Sequence, residues 1–324
     1  MKVAVTGAAG FIGQNLCSYL EKKGYEVIPI VRTPESLPQI LARLPYKTAD
    51  VTCIDSLKKA FDGINIVFNL AALFNHPDKS LDDYFAVNVK GVENVIEAAS
   101  SVGVKKVVHC STVGVATGGT VPYSEQTPYC PPKWDKYETS KCEGEKAALS
   151  YYEKYSYPVS VIRPAQVYGP GDRSKTKFYK MVKNGVIVNP GKTLKHLIYI
   201  DDLCQAFEAI AVSNTMTGKA VIIAGAEATP LEELVSIVAS ELGVAPPRWR
   251  VPALPVTILA TVVESIFNAI GKKPPIFRRS MDFFTKSVSF DTTIMKDELA
   301  FMPETTVIDG IHKTAEWYRS EGLI

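Results

Sequence analysis

The chain has six cysteines, none in a CxxC pair, and four histidines (His76, His109, His196, His312) without metal-ligand spacing. The first absence excludes a zinc ribbon or a thioredoxin-type redox pair, and the second leaves no metal site to expect. Cys17, Cys53, Cys110, Cys130, Cys142 and Cys204 are scattered, several in apolar runs, and read as reduced thiols of a cytoplasmic protein. There is no basic block and no interleaving of basic and aromatic residues, and the net charge is only +2. Nucleic acid is therefore not an expected partner, and a small-molecule substrate is. Lys2 enters an apolar run directly, without the charged, apolar and cleavage-site series of a secretory leader, so none is expected. Internal repeats and low-complexity tracts are absent as well. One long apolar run, Pro255 to Gly271, is broken by Glu264 and Asn268 and sits at the short limit for crossing a bilayer. It reads as an amphipathic helix over a substrate pocket, at a dimer contact or on a membrane surface. A peripheral membrane contact stays open on this reading, and a transmembrane span does not.

What the sequence does have is size and alternation. Its 324 residues, 46% of them hydrophobic, suffice for one large domain and a smaller one. The apolar runs KVAVT, YEVIPIVR, INIVFNLAA, KKVVHCS and PVSVIR alternate with helical patterns. Those patterns are FIGQNLCSYLEKK, a Leu-rich stretch to Leu44, Asp55 to Phe61, Leu81 to Ser101 and the stretch bearing Tyr137, with a short strand expected at Thr48 to Val51. This order specifies an α/β fold, a doubly wound parallel sheet covered on both faces. After Arg163 the chain turns to loops rich in Gly, Pro and Lys, then regains core-like runs at HLIYIDDLCQAFEAIAV and KAVIIAG. The expected division is residues 1–165 with 196–225 as the dinucleotide-binding domain, and 166–195 with 226–324 as a smaller, mixed α/β substrate domain. KKPPIFRR, from Lys272, reads as a solvated loop.

Gly7, Gly10 and Gly13 fall between the first strand and the helix opened by Phe11 and Ile12. Glycine permits a tight turn and close approach of the backbone to a pyrophosphate, which the unpaired N–H groups of the helix start then bind. The second strand ends in Val31 and Arg32, with no Asp or Glu for the ribose hydroxyls. Arg32 either pairs with a 2′-phosphate, with Thr33 adding a bond, or is a solvated loop residue. The first reading makes NADP(H) the preferred cofactor with NAD(H) accepted. Asp50 and Val51 either hold the adenine edge or form a strand-end turn. Asn69, Ala71 and Ala72 close the fourth strand with small groups where a cofactor sugar can approach.

Tyr137 and Lys141 lie four apart in KYETSKCEGEKAALSYYEKY, a spacing that stacks them on one helix face and on its own is either a solvated face, the commoner case, or a catalytic pair. A phenol titrates near ~10, and a fixed cation beside it stabilises the phenolate that acid–base work at neutral pH requires.

Taken together, TGAAGFIG, ADV, NLAA, NVKGVENVIEAA, the Ser-Thr after the fifth strand, YETSK, RPAQVYGPGD and IYIDDL occur in one order. The series resembles the extended short-chain dehydrogenase/reductases, the NAD-dependent epimerase/dehydratase family, over nearly the whole chain. IVRTPESL, GPGD and the apolar late helix place it nearest the dihydroflavonol reductase and 3β-hydroxysteroid dehydrogenase branch. The resemblance implies a Rossmann-type fold and a homodimer formed through the helices that bear the Tyr-Lys pair. It also implies that Tyr137 is the general acid/base, that Lys141 lowers its pKa and binds the ribose, and that Thr112 bonds the substrate oxygen. Ser111 then faces the cofactor, Asn88 holds structure near the site, and Arg163, Pro164, Val167 and Tyr168 flank the nicotinamide. Val113 and Gly114 stand where dehydratases carry an acidic pair, so elimination is not expected. Gln166 and Lys195 stand where sugar epimerases usually hold the diphosphate with Asn and Arg, which weakens a nucleotide-sugar reading. The expected reaction is hydride transfer between NADP(H) and a secondary alcohol or ketone of a largely apolar molecule. The alternatives are a nucleotide-sugar epimerase with recycled cofactor and a cofactor-sensing regulator without turnover.

Overall fold

The computed structural model describes residues 1–116, 121–132, 134–189, 191–270 and 278–324. In chain order it opens with β1 (Lys2–Thr6), α1 (Phe11–Lys22), β2 (Glu26–Val31), β3 (Lys47–Thr48), α2 (Ile54–Phe61) and β4 (Ile66–Asn69). Next come α3 (Leu81–Phe85), α4 (Gly91–Ser101), β5 (Lys106–Cys110), α5 (Lys136–Tyr155) and β6 (Val159–Pro164). The middle holds β7 (Gln166–Tyr168), α6 (Thr176–Lys183), β8 (Val186–Val188), β9 (Leu194–Lys195), β10 (Leu197–Tyr199), α7 (Ile200–Val212) and β11 (Ala220–Ile223). The chain closes with β12 (Thr229–Pro230), α8 (Leu231–Glu241), β13 (Trp249–Val251), α9 (Ala253–Ala269), α10 (Arg278–Thr285) and α11 (Val307–Ser320).

Contacts divide these elements into two units. The first is Met1–Ala165 with Ile200–Ile223 and Asp291–Pro303, and the second is Gln166–Tyr199 with Ala224–Phe290 and Glu304–Ile324. The division expected from the sequence differs in that it puts residues 196–199 and 224–225 in the first domain and residues 291–303 in the second. Residues 291–303 join the first because the Asp291 N–H donates to the Tyr123 carbonyl at 2.7 Å and Lys219 pairs with Glu298 at 2.6 Å.

The first unit is a seven-stranded parallel sheet in the order β11-β6-β5-β4-β1-β2-β3. The order reverses between β1 and β4, and in such sheets the crevice at the carboxyl ends of the strands beside that reversal is the ligand-binding place. Strands β4, β5 and β6 are buried along their full length, as a sheet covered by helices on both faces requires. Helix α1 buries Leu16, Cys17 and Leu20 at helical spacing, and α4 buries Val92, Val95, Ile96 and Ala99. Phe61 and Phe68 are almost wholly enclosed, each contributing roughly 1.5–3 kcal/mol by burial.

Three expectations about elements need correction. The stretch to Leu44 forms two short 3₁₀ turns, Pro34–Ser36 and Gln39–Leu41, because Pro34 and Pro38 each remove a backbone donor. The third strand is only Lys47–Thr48, so Asp50 and Val51 lie beyond it in a turn. The Leu81 to Ser101 helix contains a π turn, Ala86–Lys90, between α3 and α4.

The second unit is mixed α/β: β7 pairs with β10 and β8 with β13 in parallel, and β9 pairs with β12 antiparallel. Tyr318 buries its ring and donates to the Asp172 carbonyl at 2.6 Å, tying α11 to the GPGD loop. The KKPPIFRR loop falls mainly on residues 271–277, which lie outside the described residues. Among the described residues no helix is long and apolar enough to cross a membrane.

Candidate active site

The glycine loop is built so that side chains are kept out of it. Gly7 has a φ of +67°, and a Cβ there would come within 2.7 Å of the Leu70 carbonyl. At Gly13 a Cβ would lie 2.3 Å from the Gly7 oxygen. Gly10 is less constrained, with an ordinary φ of −78° and a 3.3 Å approach to the same oxygen, and it caps α1 without a side chain. The first turn of α1 has no acidic residue, so the N–H groups of Phe11, Ile12 and Gly13 present an uncompensated positive end. Such a cradle fits a pyrophosphate.

Beside it a buried polar ladder crosses three strand ends. Registers in the sheet set Thr6 opposite Asn69 and Asn69 opposite His109. The Ala71 N–H donates to Thr6 Oγ1 at 3.2 Å, and the Thr6 hydroxyl donates to Asn69 Oδ1 at 2.7 Å. That fixes the Asn69 amide, whose Nδ2 donates to His109 Nδ1 at 3.2 Å and so leaves the imidazole proton on Nε2. Burial, with the nearby Lys141 charge, holds His109 well below its ordinary pKa, and the ring is neutral. Composition hides this ladder, but its three members do share a sequence signal: each is a polar residue at or near the end of an apolar strand.

Helix α5 places the Tyr-Lys pair. Asp135 caps it, accepting from the Tyr137 and Glu138 N–H groups at 3.0 and 3.1 Å. Tyr137 is half-buried, its ring 4.7 Å from that of Phe74 at a 67° tilt. One turn on, Lys141 is 2% exposed, and its Nζ donates to the Cys110 carbonyl at the end of β5. Burial pushes the ammonium below its ordinary pKa, with the Glu145 carboxylate among the opposing groups. A fixed cation therefore lies one turn from the phenol, as the four-residue spacing predicts.

The loop after β5 supplies hydroxyls. Thr112 Oγ1 accepts from the Gly114 N–H at 3.2 Å, which leaves its own O–H to donate elsewhere. Ser111 is 3% exposed, and its Oγ has no partner among the described residues, an orphan that a bound polar group would satisfy. Gly114, where an acid was missed in the sequence, is not empty ground. A Cβ there would lie 2.7 Å from Glu138 Oε1, so the helix delivers one carboxylate into that space.

Other candidates divide. Arg32 is exposed and has no hydrogen bond or ion pair among the described residues. Asp50 Oδ1 accepts from the Thr52 N–H and hydroxyl at 2.8 and 2.7 Å, a strand-end Asx turn. The Val51 carbonyl is taken by Asn94 Nδ2 at 2.9 Å. Ala71 is half-buried and Ala72 exposed just past β4. Pro164 ends β6, buried, and Val167 lies on β7 of the second unit, opposite Ile198.

Two cations are spoken for. Arg163 is 3% exposed and bonds Glu145 through Nε at 2.9 Å and Nη2 at 2.5 Å, while Tyr129 donates to the same carboxylate at 2.8 Å. Lys195 is 2% exposed, and its Nζ donates to the Lys286 and Asp282 carbonyls at 2.5 and 3.5 Å, over the Phe283 ring. Burial lowers its pKa to about 8. Lys195 therefore closes the end of α10 rather than waiting for a diphosphate. Asn88, on the π turn, bonds the Leu73 N–H and carbonyl at 2.7 and 3.1 Å and donates to Ser140 Oγ at 2.8 Å. It links the strand-end loop to the helix of the dyad.

Comparison with known proteins accords with this geometry. Residues 3–224 match the model of the NAD dependent epimerase/dehydratase family. The chain is 28% identical over 350 residues to an Arabidopsis thaliana 3beta-hydroxysteroid-dehydrogenase/decarboxylase isoform 2, an alignment that covers 96% of this chain and 61% of that protein. Among solved structures it superimposes on gox2253 with a TM-score of 0.81, at 25% identity and with 99% of each chain covered. It superimposes on MoeE5, solved in complex with UDP-glucose and NAD, with a TM-score of 0.76, again at 25% identity and with 99% of each chain covered. Glycine loop, strand order, dyad and family model agree: the chain belongs to the NAD dependent epimerase/dehydratase family, the extended short-chain dehydrogenase/reductases.

Proposed function

We propose that the chain is an NADP(H)-preferring oxidoreductase that transfers a hydride between the nicotinamide and a secondary alcohol or ketone of a largely apolar substrate. The observation that carries this reading is the Lys141 ammonium, buried and fixed on the Cys110 carbonyl one turn from Tyr137. Gly7, Gly10, Phe11, Ile12 and Gly13 would hold the pyrophosphate, and Arg32 a 2′-phosphate. Asp50 and Val51 would lie on the adenine side, Ala71 and Ala72 would leave room for a sugar, and Ser111 and Lys141 would offer polar atoms to the nicotinamide ribose. By the family pattern Pro164 and Val167 flank the ring. Bound there, the nicotinamide supplies the hydride acceptor or donor.

The chain's own residues manage the proton. Bringing a phenol from ~10 to neutrality takes about 4 kcal/mol, which a fixed ammonium in a poorly hydrated site can largely supply. Tyr137 Oη then takes the hydroxyl proton of an alcohol, or gives one to a ketone oxygen, while the Thr112 O–H donates to the same oxygen and orients it. Tyr137→Phe is expected to lower turnover about a thousandfold while NADPH affinity is kept; turnover near the parent value would overturn the assignment. The KM for NADPH is expected to be about tenfold below that for NADH, a preference that Arg32→Ala abolishes. Equal constants in the parent enzyme would remove Arg32 from the cofactor site. A homodimer formed through the dyad-bearing helices belongs to the same proposal, and sedimentation measures it.

A second reading is a nucleotide-sugar epimerase with recycled cofactor, favoured by the likeness to MoeE5. The engaged Lys195 counts against it. Calorimetric binding of UDP-glucose without net NADPH consumption would select it.

A further inference from the structure

Helix α9 carries its apolar residues outward. Leu254, Ile258, Leu259, Val262 and Ile266 are 49–72% exposed, whereas Ala260 is 1% exposed. At 100° per residue the five fall within one arc of the helix surface, and Ala260 lies opposite. The only acid, Glu264, sits one turn after Ala260 on the inward side. A stripe of this size on a soluble surface marks a contact with something apolar.

The helix is also finished for a dry environment. Thr257, Thr261 and Ser265 each donate to the carbonyl four residues earlier, at 2.9, 2.8 and 2.8 Å, so each hydroxyl donor is satisfied without water. Trp249, two residues before Val251 at the end of β13, is 75% exposed, and indole is a side chain suited to the boundary between apolar and wet layers.

Charge selects the occupant. Within residues 244–279 the sequence places Arg248, Arg250, Lys272, Lys273, Arg278 and Arg279 around the apolar run, with Glu264 the one acid in that stretch, and of these Arg250 is paired with Glu232. Two copies of the chain meeting through this face would bring like charges together. A layer of anionic headgroups over an apolar interior matches both the stripe and the basic residues that border it in the sequence. At 17 residues, α9 suits lying in the plane of such a surface and not crossing it. We propose that α9 is a docking face for an anionic bilayer surface, with Leu254, Ile258, Val262 and Ile266 entering the acyl boundary. This inference does not depend on the reaction proposed above.

Flotation of the full chain with vesicles tests it. The parent protein should float with phosphatidylcholine vesicles containing about a third phosphatidylserine, bind at least about tenfold less to pure phosphatidylcholine, and be released by salt. The double variant Ile258→Glu/Ile266→Glu should bind the anionic vesicles at least about tenfold more weakly, with an unchanged unfolding temperature, since both positions are exposed. Arg248→Glu, which leaves the stripe intact, should weaken binding severalfold. Absence of parent flotation with either vesicle, or a double variant that floats as well as the parent, would overturn the proposal. So would a parent dimer that the double variant dissociates, which assigns the face to a second copy. A raised KM for an apolar ketone in lipid-free buffer would assign it to the substrate.

Discussion

Helices α5 and α9 handle polarity in opposite senses. Along α5 the buried positions include Ser140, Lys141 and Glu145, polar or charged groups that all find partners, while its outer face is solvated. Along α9 the polar groups fold back onto their own helix and the large apolar ones point outward. The first helix bears a desolvation cost to hold charged groups in place, and the second leaves hydrophobic free energy unspent. Burial of polarity in one place and an exposed apolar stripe in the other are opposite departures from the ordinary partition of side chains between core and surface.

The comparison can be broken most directly at Glu145. Glu145→Gln removes the counter-charge of a buried guanidinium and is expected to destabilise the protein by about 3–5 kcal/mol in urea unfolding. A loss below about 1 kcal/mol would mean that the α5 interior tolerates unpaired charge. Smaller effects sharpen the contrast. Ser140 accepts from Asn88 and donates to the Tyr137 carbonyl at 2.9 Å, so Ser140→Ala should cost roughly 1–3 kcal/mol. Ser265→Ala, on the exposed side of α9, should stay within about 0.5 kcal/mol. Equal costs for the two serines would erase the distinction.

Much of the first unit was legible in the sequence, because its information is local. The glycine loop joins adjacent elements, the Tyr-Lys spacing lies within one helix, and the buried strands are continuous apolar runs. What escaped reading depends on partners distant in sequence. Arg163 meets Glu145 across 18 positions and Lys195 meets Lys286 across 91, so neither could be recognised as engaged from its neighbours. The π turn at Asn88 is a one-residue adjustment inside an otherwise regular helical pattern, invisible to periodicity. Asp50 shows the same limit at short range: Asp at a strand end suits a cofactor or an Asx turn equally, and here Oδ1 is committed to Thr52. Glu138 brings one carboxylate beside Gly114, although it stands 24 positions further along the chain.

The neutrality of His109 has a consequence for how this enzyme can be studied. An imidazole is the side chain that ordinarily blurs an activity titration between acid and neutral pH. Here the ring next to the lysine of the dyad is silenced by enclosure and by that lysine's charge, with its proton parked on Nε2 through Asn69. A rate profile across the neutral range therefore carries no signal from this imidazole.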